Sequence, residues 1–476
     1  MPKPNIVILM TDQQRADCLS CAGHPQLRTP SMDRLASEGV RFTQAATVSP
    51  VCMPARSSFI NSLYPHSHGM WFNSGYVMPG GPNLFKSLKN AGYVTAHIGK
   101  SHYFRHGSAT GHLRTYEPYL HQLGLDYVHE TTGPMATRII DSYMTDLWRE
   151  RGVLDDFRED YNHRMEVRKV NPLLSDPSPL PPDLYLDGYV GQKSVEFIEG
   201  YDDPRPMCLF VGFPSPHSPW DAPGEYASMY DPAGAPDPIP MPDYGDLPEE
   251  IRDMDDFGHF KATTLENIRG IRSSYYGKIS LVDHWVGRIL ETLDEGGMLD
   301  EAMVVFWSDH GEMLGDHRRI GKCTFHESSM RVPLLMRWPD HIGRGITRDA
   351  LVENIDVCPT ILQALGLDDS WPVGRSLLPV LEDPSLEVRK CQLSEVQTTE
   401  RRFCIRTRER KYATTEDGRG FMLYDLGNDP EEQNNLIGKD VETGNRMREA
   451  LLRRLISSQH STERPVEELA GGVRGL

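Results

Sequence analysis

Short runs of apolar, β-branched residues alternate along the chain with longer stretches of helical periodicity. The first run, Asn5–Met10 (NIVILM), is typical of a buried strand, and similar runs follow at Tyr93–Ile98, Met207–Phe213 and Met303–Trp307. Between the last two runs, Leu265–Leu293 repeats apolar residues at helical spacing. This alternation predicts an α/β fold with helices packed on a central sheet.

Residues that start and stop helices mark two further elements. Thr29 and Pro30 open a predicted helix that ends near Glu38, because a capping residue, a first-turn proline and a following Gly39 are the usual termini. A second helix is predicted over Asn83–Ala91, just before the strand at Tyr93.

Two stretches interrupt this pattern and read as insertions. Residues Arg105 to about Pro182 are polar and weakly periodic, and Asp221 to about Gly258 are acidic and proline-rich. In α/β proteins such excursions often lie over the site and shape substrate choice, although a passive surface loop is an equal alternative for any one residue.

The texture of the chain changes near Pro372, where short strands separated by turns replace the alternating pattern. We therefore predict a catalytic α/β domain over residues 1–371 and a small α+β subdomain over residues 372–476. The subdomain is expected to hold four antiparallel strands and a terminal helix, at Cys391–Val396, Arg402–Arg408, Lys411–Thr415, Phe421–Asp425 and Glu442–Ile456.

Charge and composition exclude several classes of function. The 476 residues carry a net charge of −18, which disfavours general binding to nucleic acid or to an anionic membrane surface. No apolar run approaches the roughly 18 residues of a membrane helix, and the first run is too short for a signal peptide. We expect a cytoplasmic protein. The eight cysteines are scattered; Cys18 and Cys21 have the spacing of half a zinc site but lack a second pair, so buried thiols are the better interpretation.

Side chains suited to catalysis follow each predicted strand directly. In an open α/β sheet the ligand site lies at the carboxyl ends of the strands, so these side chains are expected to meet at one edge. They are Asp12 and Gln13, Lys100 and His102, His217, and Asp309 and His310.

Four of these residues form a plausible set of ligands for a divalent metal ion. Asp12 and Asp309 supply carboxylates, Gln13 an amide oxygen and His310 an imidazole. Oxygen ligands suit Ca²⁺ or Mg²⁺, and the imidazole also admits Mn²⁺ or Zn²⁺. A single aspartate at a strand end is usually a cap or a surface charge; the pairing of the two strand ends favours a metal site.

The segment around Cys52 carries the most specific signal. Pro54 can occupy the first turn of a helix running to about Leu63, which would place Cys52 where the helix amides point toward an anion and Arg56 one turn on. A capped helix with a buried cysteine is the plain alternative. A thiolate nucleophile of the cysteine phosphatase kind is disfavoured, because three residues between Cys52 and Arg56 are too few to wrap a phosphate.

This set of residues resembles the type I sulfatases of the alkaline phosphatase superfamily. Cys52-Met-Pro-Ala-Arg56 matches their C-x-P-x-R signature, in which the cysteine is oxidised after translation to Cα-formylglycine. The resemblance implies a large, mixed, mostly parallel central sheet flanked by helices. It extends over Asn5–Asp12, Thr29–Arg41, Ser49–Gly69, Gly99–His102, Pro216–His217, Ser308–Gly311, Gly321–Lys322, Arg331–Leu334 and Leu423–Pro430.

The resemblance implies one divalent metal ion bound by Asp12, Gln13, Asp309 and His310, with the modified Cys52 as a further ligand. Ca²⁺ is the ion we expect first, with Mn²⁺ and Mg²⁺ as alternatives. Many members of the family have a second aspartate where Gln13 stands and an asparagine where His310 stands, so the identity of the metal stays open.

Roles for five basic residues also follow from the resemblance. Arg56 would orient the hydrate of formylglycine, and Lys100 and Lys322 would hold sulfate oxygens. His217 and Lys322 would flank the leaving-group oxygen, and one of them would protonate it. His102 would later remove a proton from the second hydroxyl of the hydrate, which expels sulfate and restores the aldehyde.

The implied activity is arylsulfatase-like hydrolysis of sulfate monoesters, with a small-molecule sulfate ester as substrate and a formylglycine-generating maturation enzyme as a partner. A small alkyl sulfate, an aryl sulfate and one end of a sulfated sugar all stay open as substrates. Phosphonate monoester hydrolases and phosphodiesterases share the cysteine signature and are the nearest alternative, but the charges of Lys100 and His102 favour a sulfate. A two-metal phosphatase would need a second ligand cluster, and a non-catalytic binding protein would keep Cys52 unmodified. The C-terminal helix offers a surface for a homo-oligomer contact.

Overall fold

The structure, a computed structural model, describes residues 3–107, 110–243, 247–253 and 264–459. Its main sheet has eight strands in the order β4-β3-β5-β1-β6-β7-β2-β8. Neighbouring strands are parallel except at β7, which is antiparallel to both β6 and β2. The strands are β1 Ile6–Asp12, β2 Val40–Ala46, β3 Val94–Gly99, β4 Tyr127–Glu130, β5 Met207–Pro216, β6 Met303–Ser308, β7 Leu334–Arg337 and β8 Ile346–Glu353.

Helices cover both faces of this sheet, as a parallel sheet requires. They are α1 Pro30–Glu38, α2 Cys52–Asn61, α3 Pro65–His68, α4 Leu84–Asn90, α5 Glu117–Gln122, α6 Pro134–Thr137, α7 Tyr143–Glu150, α8 Leu154–Arg168, α9 Leu186–Glu199, α10 Glu249–Asp253, α11 Leu265–Glu295, α12 Glu327–Met330, α13 Val357–Ala364, α14 Leu378–Glu382 and α15 Val441–Ser457.

The central strand β1 divides the hydrophobic core into two layers. Ile8 packs into the layer that holds Phe59 of α2, whereas Leu9 packs into the layer that holds Val286 of α11. Successive side chains of a strand point to opposite faces, so a strand with no polar position before Thr11 can fill both layers. Because β1 is buried along its whole length, its last residue, Asp12, is held at the carboxyl edge of the sheet.

A second, antiparallel sheet follows, with strand order β12-β11-β10-β9. Met447 and Leu451 of the terminal helix α15 pack on it, and Val51, directly before Cys52, lies in the core on its other side with Cys404 and Met422. The antiparallel sheet and terminal helix were predicted; a domain boundary at residue 371 stays a prediction. The strands are β9 Gln392–Gln397, β10 Arg401–Arg406, β11 Arg410–Thr415 and β12 Gly420–Asp425.

The first predicted insertion is more ordered than its polarity indicated. It contains α5 to α8 and also β4, which pairs in parallel with β3 at the edge of the main sheet. Of the second insertion, residues 244–246 and 254–258 lie outside the described residues. Cys18 is buried and Cys21 half-buried, and both are free thiols. No helix in the described ranges is long and apolar enough to cross a membrane.

Candidate active site

Two strands and one helix bring four potential metal ligands together at the carboxyl edge of the main sheet. Asp12 ends β1, Asp309 and His310 follow β6, and Cys52 begins α2. One ligand atom of each residue lies within 4.8 Å of the others, and all four side chains are buried. The strand-end argument therefore predicted the correct edge, and the spacing of the ligand atoms is what a single cation requires.

Helix α2 begins at Cys52, so Pro54 lies in its first turn, as predicted. Val51 is extended and ends the preceding loop, and every residue of the helix, including Pro54, is buried. The helix ends at Asn61, two residues before the predicted end. Cys52 therefore lies at the amino end of the helix, where the unpaired backbone amides favour negative charge.

Arg56 lies one turn along α2 and binds both carboxylates of the cluster. Its Nε donates to Asp309 Oδ2 at 2.8 Å, and its terminal amino group lies 3.1 Å from Asp12 Oδ2. A further bond of 2.7 Å goes to the backbone carbonyl of Lys100. The Arg56 side chain is fully buried, so it holds the two carboxylates and the end of β3 in one arrangement.

Two lysines complete the charge of the cluster. Lys100 contacts Asp12, and Lys322 Nζ donates to Cys52 Sγ at 2.9 Å and to Gln13 Oε1 at 2.8 Å. Burial alone would raise the pKa of Asp12, but Lys100 and the other nearby cations hold it well below its usual range. Burial and Asp12 likewise oppose ionisation of the Cys52 thiol, yet Lys322 and His310 bring its pKa below the ordinary value.

Gln13 is held in a left-handed backbone conformation, with φ of 74°, by three hydrogen bonds. Its N–H donates to Asp309 Oδ1 at 2.9 Å, and its carbonyl accepts from Tyr275 at 2.6 Å. Its side-chain amide donates to Glu312, which leaves the amide oxygen facing Lys322. Neither Glu312 nor Tyr275 was predicted from the sequence. The one sequence feature that could have indicated Glu312 is its position directly after Asp309 and His310 along the chain.

The two histidines assigned to proton transfer lie beside these cations. His102 is buried and stacks on His106, with ring centroids 4.8 Å apart. Burial and the charge of Lys100 lower the pKa of His102 well below 6.5. Burial and the charge of Lys322 do the same for the pKa of His217. His217 Nδ1 lies 2.6 Å from the carbonyl of Ser218; because a carbonyl only accepts, Nδ1 carries a proton there.

A buried carboxyl group, Asp187 of α9, fastens the end of β5 next to His217. Its Oδ1 accepts from the N–H of Ser215 at 3.0 Å. Burial outweighs this bond and raises the pKa of Asp187 to about 6 from its ordinary 3.8. The folded protein therefore binds this proton more tightly than the unfolded chain, and the associated stability is complete below about pH 4 and is lost as the pH rises through about 6.

We expect the variant Asp187→Asn to remove this pH dependence, because an amide does not ionise. Relative to wild type, the unfolding free energy of the variant should improve by about 3 kcal/mol between pH 4 and pH 7. Urea unfolding of both proteins across that range measures the difference, in which all other titrating groups cancel. A difference that does not change with pH would contradict the prediction.

The donor set fits a hard divalent cation. The carboxylates of Asp12 and Asp309 and the imidazole of His310 converge with the Cys52 thiol, and the Gln13 amide oxygen accepts from Lys322 Nζ at 2.8 Å. Oxygen-rich ligands of this kind suit Ca²⁺, Mg²⁺ or Mn²⁺. In the part of the chain that the structure describes, these residues form the one cluster of three or more such ligands.

Comparison with known proteins agrees with this geometry. Residues 4–367 match the sulfatase family model, and residues 315–461 match the model of the C-terminal region of N-sulphoglucosamine sulphohydrolase. An arylsulfatase of Clostridium perfringens is 30% identical over 454 residues, which cover 92% of this chain and 91% of that protein. An ulvan-active sulfatase of Formosa agariphila is 30% identical over 455 residues, or 92% of this chain and 78% of that protein.

Solved structures share the fold. A phosphonate monoester hydrolase of Silicibacter pomeroyi superposes with a TM-score of 0.80 over 97% of both chains, at 23% sequence identity. At that identity the likeness shows the architecture alone. It confirms the predicted alkaline phosphatase-like sheet with its smaller antiparallel companion.

Proposed function

Since the chain belongs to the sulfatase family and is a sulfuric ester hydrolase, we propose that it cleaves small sulfate monoesters with a formylglycine made from Cys52. The observation that carries this proposal is the environment of Cys52. Its side chain stands at the first residue of α2, bonded to Lys322 and His310, beside the buried carboxylates of Asp12 and Asp309. A sulfate ester, whose oxygens repel nucleophiles, needs such a concentration of positive charge.

Asp12, Gln13, Asp309 and His310 would hold one divalent cation, and we propose Ca²⁺. Bound there, the cation would neutralise the sulfate oxygens and the attacking oxygen. The chain itself supports the ligands: Arg56 holds both carboxylates, and Glu312 holds the Gln13 amide so that its oxygen faces inward.

A formylglycine at position 52 would supply, as its hydrate, one hydroxyl that attacks sulfur and a second that allows sulfate to leave. Lys322 and Lys100 would bind sulfate oxygens, because their ammonium groups already contact Cys52 and Asp12, respectively. Burial opposes the charge of Lys322, but Cys52 and Asp12 raise its pKa above the ordinary value, so it stays charged and gives up its proton less readily than a free lysine.

His217 is therefore the group that we propose as the acid for the leaving oxygen. Its Nδ1–H is taken up by the Ser218 carbonyl, which leaves Nε2 as the nitrogen that exchanges a proton with substrate. Burial, with the charges of Lys322 and Lys100, keeps the pKa of His217 low in the free protein, and an anionic ester bound beside these lysines would offset their charges and raise it. His102, neutral for the same reasons, would act as the base that follows.

Lys100 and His102 also support a sulfate ester over a phosphonate monoester or a phosphodiester. Both side chains are buried, and each brings a basic group to the site. We expect kcat/KM for 4-nitrophenyl sulfate to exceed that for phenyl 4-nitrophenyl phosphonate by about 10-fold or more, equivalent to about 1.4 kcal/mol in transition-state stabilisation.

Steady-state kinetics of the matured, Ca²⁺-loaded protein on both esters would test this preference. The same pair should be measured on the double variant Lys100→Met, His102→Thr, which removes both basic groups and should lose sulfate activity selectively. A clear preference of the unaltered enzyme for the phosphonate would overturn the assignment and favour the alternative hydrolase.

Three further expectations stay predictions: a maturation enzyme that oxidises Cys52, a cytoplasmic location, and a homo-oligomer contact through α15. The division at residue 371 is likewise proposed, with the catalytic groups on its N-terminal side. Every residue assigned above to the metal or to proton transfer precedes that boundary.

A further inference from the structure

A lysine outside the catalytic cluster holds the segment that carries His217. Lys278 lies in the middle of α11 and its side chain is fully buried. Its ammonium group donates to the carbonyl of His217 at 2.7 Å, to the carbonyl of Pro219 at 3.0 Å and to Asp221 Oδ1 at 3.1 Å. An ammonium group has three protons, so all of them are used within one five-residue segment.

Burying the ammonium group of Lys278 carries a desolvation cost, and its hydrogen bonds fix one short segment of backbone. A buried ammonium group is tolerated only when it is paired and hydrogen-bonded, and Asp221 provides the opposite charge. Asp221 also accepts hydrogen bonds from Tyr161 of α8 and from Tyr185 just before α9, the latter at 2.9 Å. Three helices therefore converge on the residues that follow β5.

The segment from His217 to Asp221 leaves the sheet and has no strand partner beyond Pro216. Its backbone carbonyls at His217 and Pro219 accept from Lys278, not from another strand. The imidazole of His217 is oriented in turn by this backbone, because Nδ1–H donates to the Ser218 carbonyl at 2.6 Å. Lys278 thus fixes the backbone carbonyls of His217 and Pro219, and this backbone in turn sets the direction in which His217 Nε2 points.

We propose that Lys278 is a positioning residue for His217, a role that rests on the proposed function of His217 as the acid for the leaving oxygen. Lys278 does not touch the reacting atoms. It acts by fixing the aim of the imidazole, and a small error in aim costs an acid catalyst most of its effect.

The consequence is selective for the leaving group. A phenolate such as 4-nitrophenolate leaves readily without a proton, whereas an alkoxide needs one. General acid catalysis contributes typically 10²–10⁴-fold where the proton is needed. Misplacing His217 should therefore slow hydrolysis of an alkyl sulfate far more than that of 4-nitrophenyl sulfate, whereas a general loosening of the fold should slow both alike.

The test compares Lys278→Met with wild type, both matured and Ca²⁺-loaded, on 4-nitrophenyl sulfate and on a primary alkyl sulfate. We expect kcat/KM to fall about 10-fold or more for the alkyl ester and less than about 3-fold for the aryl ester. Lys411→Met is the matched control: Lys411 is also fully buried, pairs with Glu432 at 2.6 Å, and lies in the second sheet. It should leave the alkyl-to-aryl ratio unchanged.

His217→Ala, measured in parallel, separates the two proposals. Selective loss in His217→Ala with an equal loss on both esters in Lys278→Met would overturn the role of Lys278 alone. Equal loss in His217→Ala would overturn the role of His217 and that of Lys278 with it. Should Lys278→Met not fold, the double variant Lys278→Met, Asp221→Asn removes both buried charges together and should show the same selective loss.

Discussion

The variant Cys52→Ala should lose about 10⁴-fold or more in kcat/KM for 4-nitrophenyl sulfate while its unfolding free energy stays within about 1 kcal/mol of wild type. Activity falls because the methyl group of alanine cannot be converted to formylglycine and carries no oxygen that could attack sulfur. Stability is preserved because the side chain is small, because Lys322 keeps its hydrogen bond to Gln13 Oε1, and because Asp12 keeps its ion pairs with Arg56 and Lys100.

Peptide mass mapping around Ser49–Arg56 provides the control for this comparison. Protein made together with a maturation enzyme should contain aldehyde or its hydrate at position 52, and protein made without it should contain thiol and be inactive. Cys52→Ser should resemble alanine in turnover, because a serine ester of sulfate has no second hydroxyl to release it. Substantial activity in Cys52→Ala would contradict the nucleophile assignment.

The variant Arg56→Met should destabilise the metal-free protein by about 3–5 kcal/mol, because it leaves two buried carboxylates without their shared cation. If a divalent cation binds Asp12 and Asp309, adding it should restore a large part of this loss, since it supplies charge to the same oxygens. Urea unfolding in EDTA and in Ca²⁺ measures both effects.

A matched control for Arg56 exists elsewhere in the chain. Arg389 is also buried between two carboxylates, with 2.5 Å to Asp356 and 3.3 Å to Glu353. Arg389→Met should be destabilised to a similar degree, and Ca²⁺ should not rescue it, because those carboxylates are outside the proposed ligand set. Equal rescue of both variants would contradict a specific cation site at Asp12 and Asp309.

In the main sheet the sequence predicted β1, β3, β5 and β6, and missed β2, β4, β7 and β8. The predicted strand ends at β1, β5 and β6 lie within a few residues of the observed ones. By contrast β2 (VRFTQAA) and β4 (YVHE) lie at or near the sheet edges and carry polar positions that conceal them. Whether a strand lies near a sheet edge depends on pairing with distant residues, and a pattern of apolar runs does not show it.

The site follows the same division. Asp12, His217 and Asp309 were predicted because parallel strands deliver their ends to one edge. Lys322 follows no strand, and only the family resemblance pointed to it. Lys278 was not predicted at all, because it contacts His217 across 61 residues of chain and sits in an otherwise ordinary amphipathic helix.

The packing of Val51 into the core of the second sheet constrains the order of events during synthesis. Cys52 and every other residue of α2 are buried in the folded chain. We expect the proposed maturation enzyme to act on an extended peptide, so oxidation of Cys52 would precede docking of the C-terminal sheet. The docked C-terminal sheet would then keep the maturation enzyme from Cys52, and a chain that folds before modification would remain inactive.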